Sequence, residues 1–352
     1  MTGAASPLRS AGHLVAEGRQ GVVASARSVG GWLVGHRFET AALAALIVAG
    51  AVLRPAAAQA TVTPVSVAPQ YGRAAVTAWF GEVTGAYLVP VTRRVDEDAV
   101  SPRHALEALL AGPAAGPELR ALFPAGVTVT TFETRGSEAV VDLSAGALDG
   151  IDAARAVDAA VLTITESGDL RAVRLSVDGV PVDADGRAAL SSVALPRPVP
   201  NPETPEAAGG GVELYFAYGV TDQYLVPVTR ADAAADPGEA VAQLLKGPAP
   251  DSGLRPALPL NVGVINWRQE GALAVINVDE QLIYAYRLSK ANALYVRKAI
   301  MATLTRLPGV KAGMIEINGS RMLMYTCVNV TQEFAQARPW ALNDEFYLSA
   351  LP

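Results

Sequence analysis

Short apolar runs alternate with polar residues through most of the chain and predict β-strands joined by tight turns. Val76–Phe80 and Tyr87–Arg93 are rich in β-branched and aromatic residues and flank the glycines of Gly81–Gly85. Val212–Tyr218 and Gln223–Arg230 repeat this arrangement further along the chain. Each pair of runs therefore predicts a hairpin with a longer loop.

A helix with clear end signals follows each predicted hairpin. Asp236 is a candidate N-cap, Pro237 takes the first helical position, and Glu239 completes the pattern of a capping box. Gly247 tolerates the positive φ that is common at the residue after a helix, and Pro248 stops the helix. The earlier copy has the same signals: Ser101, Pro102 and Gly112-Pro113. The Gly-Pro pairs are therefore interpreted as helix ends rather than phosphate-binding loops.

Two more strands, a second helix and a last strand complete each predicted module. The strands are Val127–Phe132, Ala139–Ser144 with its counterpart Ala274–Asp279, and Val173–Val177 with its counterpart Met314–Ile317. The second helix shows apolar residues at helical spacing: Val157, Ala160, Val161 and Ile164 in one copy, and Val296, Ile300, Leu304 and Leu307 in the other. The pairs Asp178-Gly179 and Asn318-Gly319 predict turns with positive φ. The predicted fold class is α+β, with two tandem ββαββαβ sandwich modules, each carrying two helices on one face of a small sheet.

The chain contains a duplication that fixes its domain organisation. Tyr87–Arg93 (YLVPVTR) recurs without change as Tyr224–Arg230, and the sequence after each run is also similar. We predict these segments: a linker at 61–75, a first domain at 76–184 (repeat one), a Pro- and Gly-rich linker at 185–211, a second domain at 212–330 (repeat two), and a C-terminal tail at 331–352. The linker at 185–211 is expected to be extended in its Pro-rich first part and flexible at its Gly-rich end. The duplicated strand is interpreted either as an interface element or as core packing within each copy.

An uncharged apolar segment precedes the repeats. Thr40–Leu53 carries no charge, and four arginines come before it: Arg9, Arg19, Arg27 and Arg37. The positive-inside rule then predicts a cytoplasmic segment at 1–39 and a transmembrane anchor or signal segment at 40–60. A small-residue site ending at Ala60 is typical of signal-peptide cleavage. The repeats are expected outside the cytoplasm, at the cell membrane or secreted after cleavage; a buried core helix is the alternative for this segment.

Charge and cysteine content exclude several classes of protein. The first sixty residues hold five Arg and two acidic residues, so the remainder carries 23 basic and 32 acidic residues. A region this acidic argues against sequence-independent nucleic-acid binding. Cys327 is the single cysteine, which rules out an internal disulfide and a lipid anchor next to the apolar segment.

The sequence offers no catalytic constellation. The histidines are His13, His36 and His104, and His104 has no nearby Cys or second His. Asp142 and Asp178 become Asn in the other copy, as Asn277 and Asn318, so both copies cannot form one carboxylate pair. The acidic run Asp96-Glu97-Asp98 is interpreted as a solvated loop before a helix N-terminus. We therefore predict no catalytic, metal-binding or cofactor-binding residue and no cofactor.

Several motifs resemble the GerMN domain family. They are the two LVPVTR strands, the helix ends LLAGP and LLKGP, the VDLS strand at Val141–Ser144, and the run Thr303–Lys311 continuing to Ile315–Gly319. They occur in order and twice, over about 76–184 and 212–330. The resemblance implies a module like the ring-building motifs of secretion-system assemblies, and a non-catalytic, membrane-tethered role in sporulation or spore germination. It implies partners in an envelope or spore assembly, a channel or peptidoglycan, and it is compatible with a homo-oligomer.

The sequence departs from the family pattern in places. It lacks the lipid-anchor cysteine of related lipoproteins, Asp279 stands where repeat one has Ser144, and repeat two has about five extra residues around Gln281–Tyr295. Two other functions stay open: a monomeric cell-wall or peptidoglycan-binding protein unrelated to sporulation, and an envelope hydrolase that uses His104. The tail aromatics, Trp340, Phe346 and Tyr347, are expected to pack on repeat two or to bind a partner.

Overall fold

The computed structural model describes residues 74–114, 118–219, 224–231, 235–258, 261–286 and 290–320, together with the pairs 324–325, 328–329, 334–335 and 342–343. The predicted segments 1–39 and 40–60, His13, His36, Cys327 and Trp340 lie outside these residues. None of the helices in the described ranges is both long and apolar enough to cross a membrane. The N-terminal membrane segment therefore stays a prediction. Both repeats fall within one compact unit, Pro64–Pro352.

Repeat one follows the predicted order of elements, with short strands added. Its elements are β1 (Ala75–Glu82), β2 (Leu88–Arg94), a 3-10 turn (Glu97–Ala99), α1 (Pro102–Leu110), β3 (Leu119–Arg120), β4 (Val129–Arg135), β5 (Glu138–Leu143), α2 (Ala153–Ile164), β6 (Ala172–Val177), β7 (Val180–Pro181) and β8 (Leu195–Pro196). Strands β5 and β6 are parallel, and α2 makes the connection between them. The sheet order is β4-β5-β6-β7, with β8 also pairing with β6.

Repeat two has the same architecture and one extra helix. A second 3-10 turn (Pro205–Gly209) precedes it. Its elements are β9 (Val212–Tyr218), β10 (Tyr224–Arg230), α3 (Pro237–Lys246), β11 (Val264–Glu270), β12 (Leu273–Val278), α4 (Gln281–Tyr286), α5 (Lys290–Thr305), β13 (Ala312–Ile317), β14 (Met324–Tyr325), β15 (Val328–Asn329) and β16 (Phe334–Ala335). The extra residues in repeat two form α4, and β16 extends the sheet to β11-β12-β13-β16.

Repeat one contains two sheets rather than the single sheet we predicted, and repeat two has the two equivalent sheets together with the short pair β14-β15. The hairpin β1-β2 is separate from the sheet around β5, and helices α1 and α2 contact both of them. The helices therefore lie between two β-layers. The residues of β1 explain the difference, because all but the first are buried. A strand without polar alternation indicates burial on both faces, which a hairpin at the edge of one half-exposed sheet would not have.

The predicted helix ends are confirmed in detail. The Asp236 carboxylate accepts a hydrogen bond from the Glu239 N–H (2.9 Å), and the Ser101 hydroxyl accepts one from the His104 N–H (3.2 Å). Gly247 has a φ of +82°, as expected for the residue that ends a helix. The capping box is only half formed, because the Glu239 side chain accepts a hydrogen bond from Gln243 (2.6 Å).

The segment 185–211 does more than connect the repeats. Its strand β8 pairs with β6, its 3-10 turn buries Ala207 completely, and Asn201 takes a left-handed φ of +44°. The structure gives this segment defined contacts, and the flexibility expected at its end stays a prediction. Proline and glycine content indicated a solvated linker, but the local side chains bind the neighbouring strands.

The arginine that ends the duplicated run fixes hairpin to helix in both repeats. The Arg93 guanidinium donates to the carbonyl oxygens of Ala108 (3.1 Å) and Gly112 (2.8 Å) at the end of α1, and lies 5.9 Å from the ring centre of Phe80. Arg230 makes the equivalent contacts with Gln243 (3.2 Å), Gly247 (3.0 Å) and Phe216 (5.8 Å). Arg230 also forms an ion pair with Glu203 (2.7 Å).

We expect Arg230→Met to lower the free energy of unfolding by about 2–3 kcal/mol, because it leaves helix-end carbonyls and Glu203 without their charged donor. Urea unfolding followed by circular dichroism measures the change. The control Arg135→Met breaks an exposed ion pair with Glu133 and should cost less than about 0.5 kcal/mol. Equal effects of the two substitutions would contradict this role of Arg230.

Candidate functional site

Two of the groups with catalytic potential lie around the start of helix α1. The His104 Nδ1 lies 2.7 Å from the Ser101 hydroxyl at the start of α1. The acidic run Asp96-Glu97-Asp98 lies at the exposed 3-10 turn before that helix. Within the described ranges, no group of three or more His, Cys, Asp or Glu side chains is arranged to hold a metal ion.

Asp142 supports a turn at the end of the sheet. Its carboxylate accepts hydrogen bonds from the hydroxyls of Ser176 (2.6 Å) and Thr130 (2.6 Å) and from the Gly179 N–H (2.9 Å). Burial raises the pKa of Asp142, but these donors outweigh it and lower the pKa overall. The counterpart Asn277 accepts from the Gly319 N–H (2.8 Å). Asp and Asn thus perform the same structural task, and Asp178 itself is a turn residue with a φ of +50°.

The two copies of the duplicated strand lie side by side. Strand β2 contacts β10, and the residues from Leu88 to Thr92 are all buried. Their counterparts in β10 are buried as well. Apolar residues of both strands belong to the hydrophobic core, and the contact between the strands crosses from one repeat to the other. The duplicated run therefore serves both core and interface, the two alternatives that the sequence left open. We call this surface the inter-repeat contact.

Asn201 joins the two strands from the segment that follows repeat one. Its side-chain oxygen accepts from the Leu88 N–H (2.8 Å), and its side-chain nitrogen donates to the carbonyls of Leu88 (2.8 Å) and Pro227 (2.7 Å). Thr229 then donates its N–H to the Asn201 carbonyl (3.1 Å) and its hydroxyl to the Pro200 carbonyl (2.8 Å). One amide thus pairs with backbone groups of both repeats.

Asn343 makes the same contacts from the segment that follows repeat two. Its side chain accepts from the Leu225 N–H (2.8 Å) and donates to the carbonyls of Leu225 (2.9 Å) and Pro90 (2.7 Å). The Thr92 hydroxyl donates to the Leu342 carbonyl (2.9 Å). Exchanging the repeats converts one set of contacts into the other, as in a two-fold symmetric dimer. Part of the C-terminal tail is therefore integral to the inter-repeat contact.

A buried ion pair joins the ends of the two long helices. Glu166, after α2, binds Arg306, after α5, with an Oε1 to Nη2 distance of 2.6 Å. Arg197 also binds Glu166 (2.7 Å), and the Trp79 indole donates to it (3.2 Å). On the other side, Arg306 contacts Glu213 (3.1 Å) and the Tyr215 hydroxyl (2.9 Å). The side chains of Glu166 and Arg306 are only 11% and 12% exposed.

The electrostatics of this pair favour the ionised state. Burial raises the pKa of Glu166, but Arg306 and Arg197 outweigh it and hold the pKa at about 2. Burial lowers the pKa of Arg306, and Glu166 more than compensates, so its pKa lies well above the usual range. Both groups therefore stay charged at neutral pH.

A second polar pair crosses the contact. The Tyr218 hydroxyl donates to the Glu82 carboxylate (2.8 Å), which also accepts from the Thr84 N–H (2.6 Å) and the Thr84 hydroxyl (2.7 Å). Burial raises the pKa of Tyr218, and the hydrogen bond to Glu82 raises it further. Because Glu82 is completely buried, these donors replace the water that a carboxylate requires.

A family model described as Germane, sporulation and spore germination, matches residues 78–183 and 213–322, more than half of the chain. The chain belongs to the Germane family. Its two matched segments coincide with the two repeats, so the resemblance to GerMN domains is confirmed. No curated protein matches the chain significantly.

One solved tandem-domain structure shows the same fold. The tandem GerMN domains of the sporulation protein GerM from Bacillus subtilis match with a TM-score of 0.53 at 22% identity, covering 70% of this chain and 92% of that one. The first GerMN domain alone gives 0.31 at 21% identity, over 35% and 97% of the two chains. A putative lipoprotein from Clostridium perfringens gives 0.26 at 19% identity, over 36% and 86%.

Sequence reasoning missed the residues that hold the Germane repeats together. A signal was present, because an Asn followed two residues later by Glu comes after both repeats, as Asn201/Glu203 and Asn343/Glu345. The ion pair has no such signal, since Glu166 and Arg306 differ in charge although they occupy matching positions. Their partnership follows only from how the repeats meet.

We expect Asn343→Ala to lower the free energy of unfolding by about 2–4 kcal/mol, because it leaves several buried backbone groups without hydrogen bonds. Asn201→Ala should have a similar effect, and urea unfolding measures both. The control Asn261→Ala removes an exposed amide that binds Gln281 and should cost less than about 0.5 kcal/mol. A normal stability of Asn343→Ala would show that the tail is dispensable for the contact.

We also expect stability to fall at acid pH through Glu166. Its pKa drops from 4.5 to about 2 on folding, so its contribution is complete above about pH 5 and is lost as the pH falls from 4.5 towards 2. At 1.36 kcal/mol per pKa unit, this amounts to up to about 3 kcal/mol. Glu166→Gln should flatten this part of the curve of unfolding free energy against pH.

Urea unfolding at pH 6, 4 and 3 gives the curves for the native protein and for Glu166→Gln. Glu133→Gln, which alters an exposed ion pair, is the matched control and should keep the native slope. An unchanged slope in Glu166→Gln would mean that the ion pair contributes nothing to the acid sensitivity of the fold.

Proposed function

We propose that this Germane-family chain is a non-catalytic envelope protein that presents its two repeats as one binding unit during sporulation or spore germination. Family membership supports the setting. The inter-repeat contact supports the single unit, because it buries strands from both repeats. The candidate catalytic groups His104 and Asp142 have structural partners instead of forming an acid–base pair.

The observation that carries the binding role is a difference between the outer sheet faces. In repeat one, the inward residues of β5 and the inward Val173 and Leu175 of β6 are buried. The outward residues are half-buried: Val140, Asp142, Arg174 and Ser176. In repeat two, the outward residues are buried: Val275, Asn277, Met314 and Glu316. Repeat one is therefore more open on β5 and β6 than repeat two is on β12 and β13, while the edge strands β4 and β11 are exposed in both repeats. We define the outer face of repeat one by strands β4, β5 and β6.

The chemistry of this face fits a polar partner. Arg174 and Glu138 form a half-exposed ion pair (2.9 Å), and most side chains of β4 are exposed. An edge strand with available backbone groups and side chains of both charges is suited to another protein or to a polar polymer. Envelope assembly proteins and peptidoglycan both meet this description.

The membrane setting rests on the sequence. The uncharged segment within 40–60 and the arginines before it predict an anchor or a signal segment, with the repeats outside the cytoplasm. In this arrangement an anchor within 40–60 holds repeat one, with its outer face, at the envelope. The alternative is a monomeric peptidoglycan-binding protein, whose binding would use the same face.

Two measurements on the full-length protein test this function. The first is light scattering of the detergent-extracted protein over a concentration series, together with affinity capture from membranes of the source cell. The second is co-sedimentation with purified cell-wall sacculi. We expect specific capture of envelope proteins or a mass above one copy. A strict monomer that sediments with sacculi would support the alternative, and failure in both measurements would contradict an envelope-binding role.

A charge reversal identifies the surface. Arg174→Glu should weaken capture or assembly at least about tenfold, because it places a like charge beside Glu138 and alters the outer face. The control Arg103→Glu changes an exposed arginine on α1 and should have no effect. If both variants bind normally, the outer face of repeat one is not the binding surface.

A further inference from the structure

Residues at matching positions of the two repeats meet each other across the inter-repeat contact. Thr163-Ile164-Thr165-Glu166 aligns with Thr303-Leu304-Thr305-Arg306, so the bonded Glu166 and Arg306 are counterparts. Glu82 and Tyr218 are counterparts as well, since each follows its matching phenylalanine by two residues. Such self-meeting positions lie at the axis of a two-fold arrangement.

The charges at these positions discriminate between possible pairings. If a second copy of repeat one took the place of repeat two, Glu166 would face Glu166 and Glu82 would face Glu82. If repeat two met another repeat two, Arg306 would face Arg306. Each charge would keep one partner from nearby, Arg197 or Glu213. The bond that joins the repeats would be lost, however, and two like charges would come into contact in a buried site.

We infer that the inter-repeat contact is a pairing code by which repeat one accepts repeat two of the same chain and rejects a second repeat one. The backbone contacts of Asn201 and Asn343 are the same for both repeats and do not discriminate. Glu166 with Arg306, and Glu82 with Tyr218, supply the difference. This inference does not depend on the proposed function, because it concerns how the chain pairs with itself.

This pairing code means that each duplicated strand packs against its counterpart in the other repeat of the same chain. The apolar residues of β2 and β10 would otherwise allow any two Germane repeats of this chain to associate, which would link molecules through the wrong repeats. Like-charge contact is a common means of rejecting such partners. The chain therefore closes on itself through this surface, and any larger assembly uses other surfaces.

The first test cuts the full-length chain without changing the contact. A protease site inserted between Gly209 and Gly210 lies just after the second 3-10 turn, where Ala208 and Gly209 are exposed. After cleavage, we expect the two halves to stay together as one copy of each, which native mass spectrometry and light scattering measure. Separation of the halves, or formation of dimers of identical halves, would overturn the pairing code.

The second test reverses the charges in the cleaved protein. Glu166→Arg alone and Arg306→Glu alone should each weaken the affinity of the halves on the order of 100-fold, the loss expected when a buried ion pair becomes a like-charged contact. The combined variant should recover at least about tenfold over either single variant. Recovery is partial because Arg197 and Glu213 then face like charges.

The same cleaved protein provides the control variant and the result that would contradict the inference. Glu107→Arg reverses an exposed charge on α1 and should leave the affinity unchanged. Losses that multiply in the combined variant would show that Glu166 and Arg306 act independently, which overturns the code. If a single variant lost affinity because it failed to fold for another reason, the second charge reversal would not restore the affinity of the halves. Lack of recovery in the combined variant therefore counts against the code in that case as well.

Discussion

Packing of strand β2 against strand β10 is the interaction on which the rest of the structure depends. Both strands are apolar on both faces and have a proline at the centre, at Pro90 and Pro227. Neither repeat can leave its strand open to water without exposing a continuous apolar surface. Most of the free energy that holds the repeats together therefore comes from burial of apolar side chains. The ion pair of Glu166 and Arg306 mainly fixes the orientation of the repeats, since desolvation offsets much of its electrostatic attraction.

Each residue of the run YLVPVTR has contacts in this arrangement, which explains why the run is identical in both copies. The apolar positions fill the contact, the threonines Thr92 and Thr229 bind the segments that carry Asn343 and Asn201, and the final arginines hold the helix ends. A change at one position would disturb the repeat's own core and the contact together. Glu166 and its counterpart Arg306 have different neighbours within their own repeats, and these positions differ between the copies.

The sequence predicted local structure well because the signals are local. Helix ends at Ser101 and Asp236 and the turns at Asp178 and Asn318 each depend on a few neighbouring residues. The second sheet layer and the role of Asn201 were not predictable in this way. A proline-rich stretch has the same composition whether solvent or a buried strand surrounds it. The partnership of Glu166 and Arg306 requires the arrangement of two domains, which periodicity does not report.

The contact also limits where function can reside. The hairpin of each repeat faces the other repeat, the helices lie between two β-layers, and the outward residues of β12 and β13 are buried. Among the described sheets, repeat one keeps half-exposed polar residues on β5 and β6, and the edge strands β4 and β11 are exposed in both repeats. Two domains of one family thus differ in how far their central strands are covered: β5 and β6 keep half-exposed outward residues, whereas those of β12 and β13 are buried.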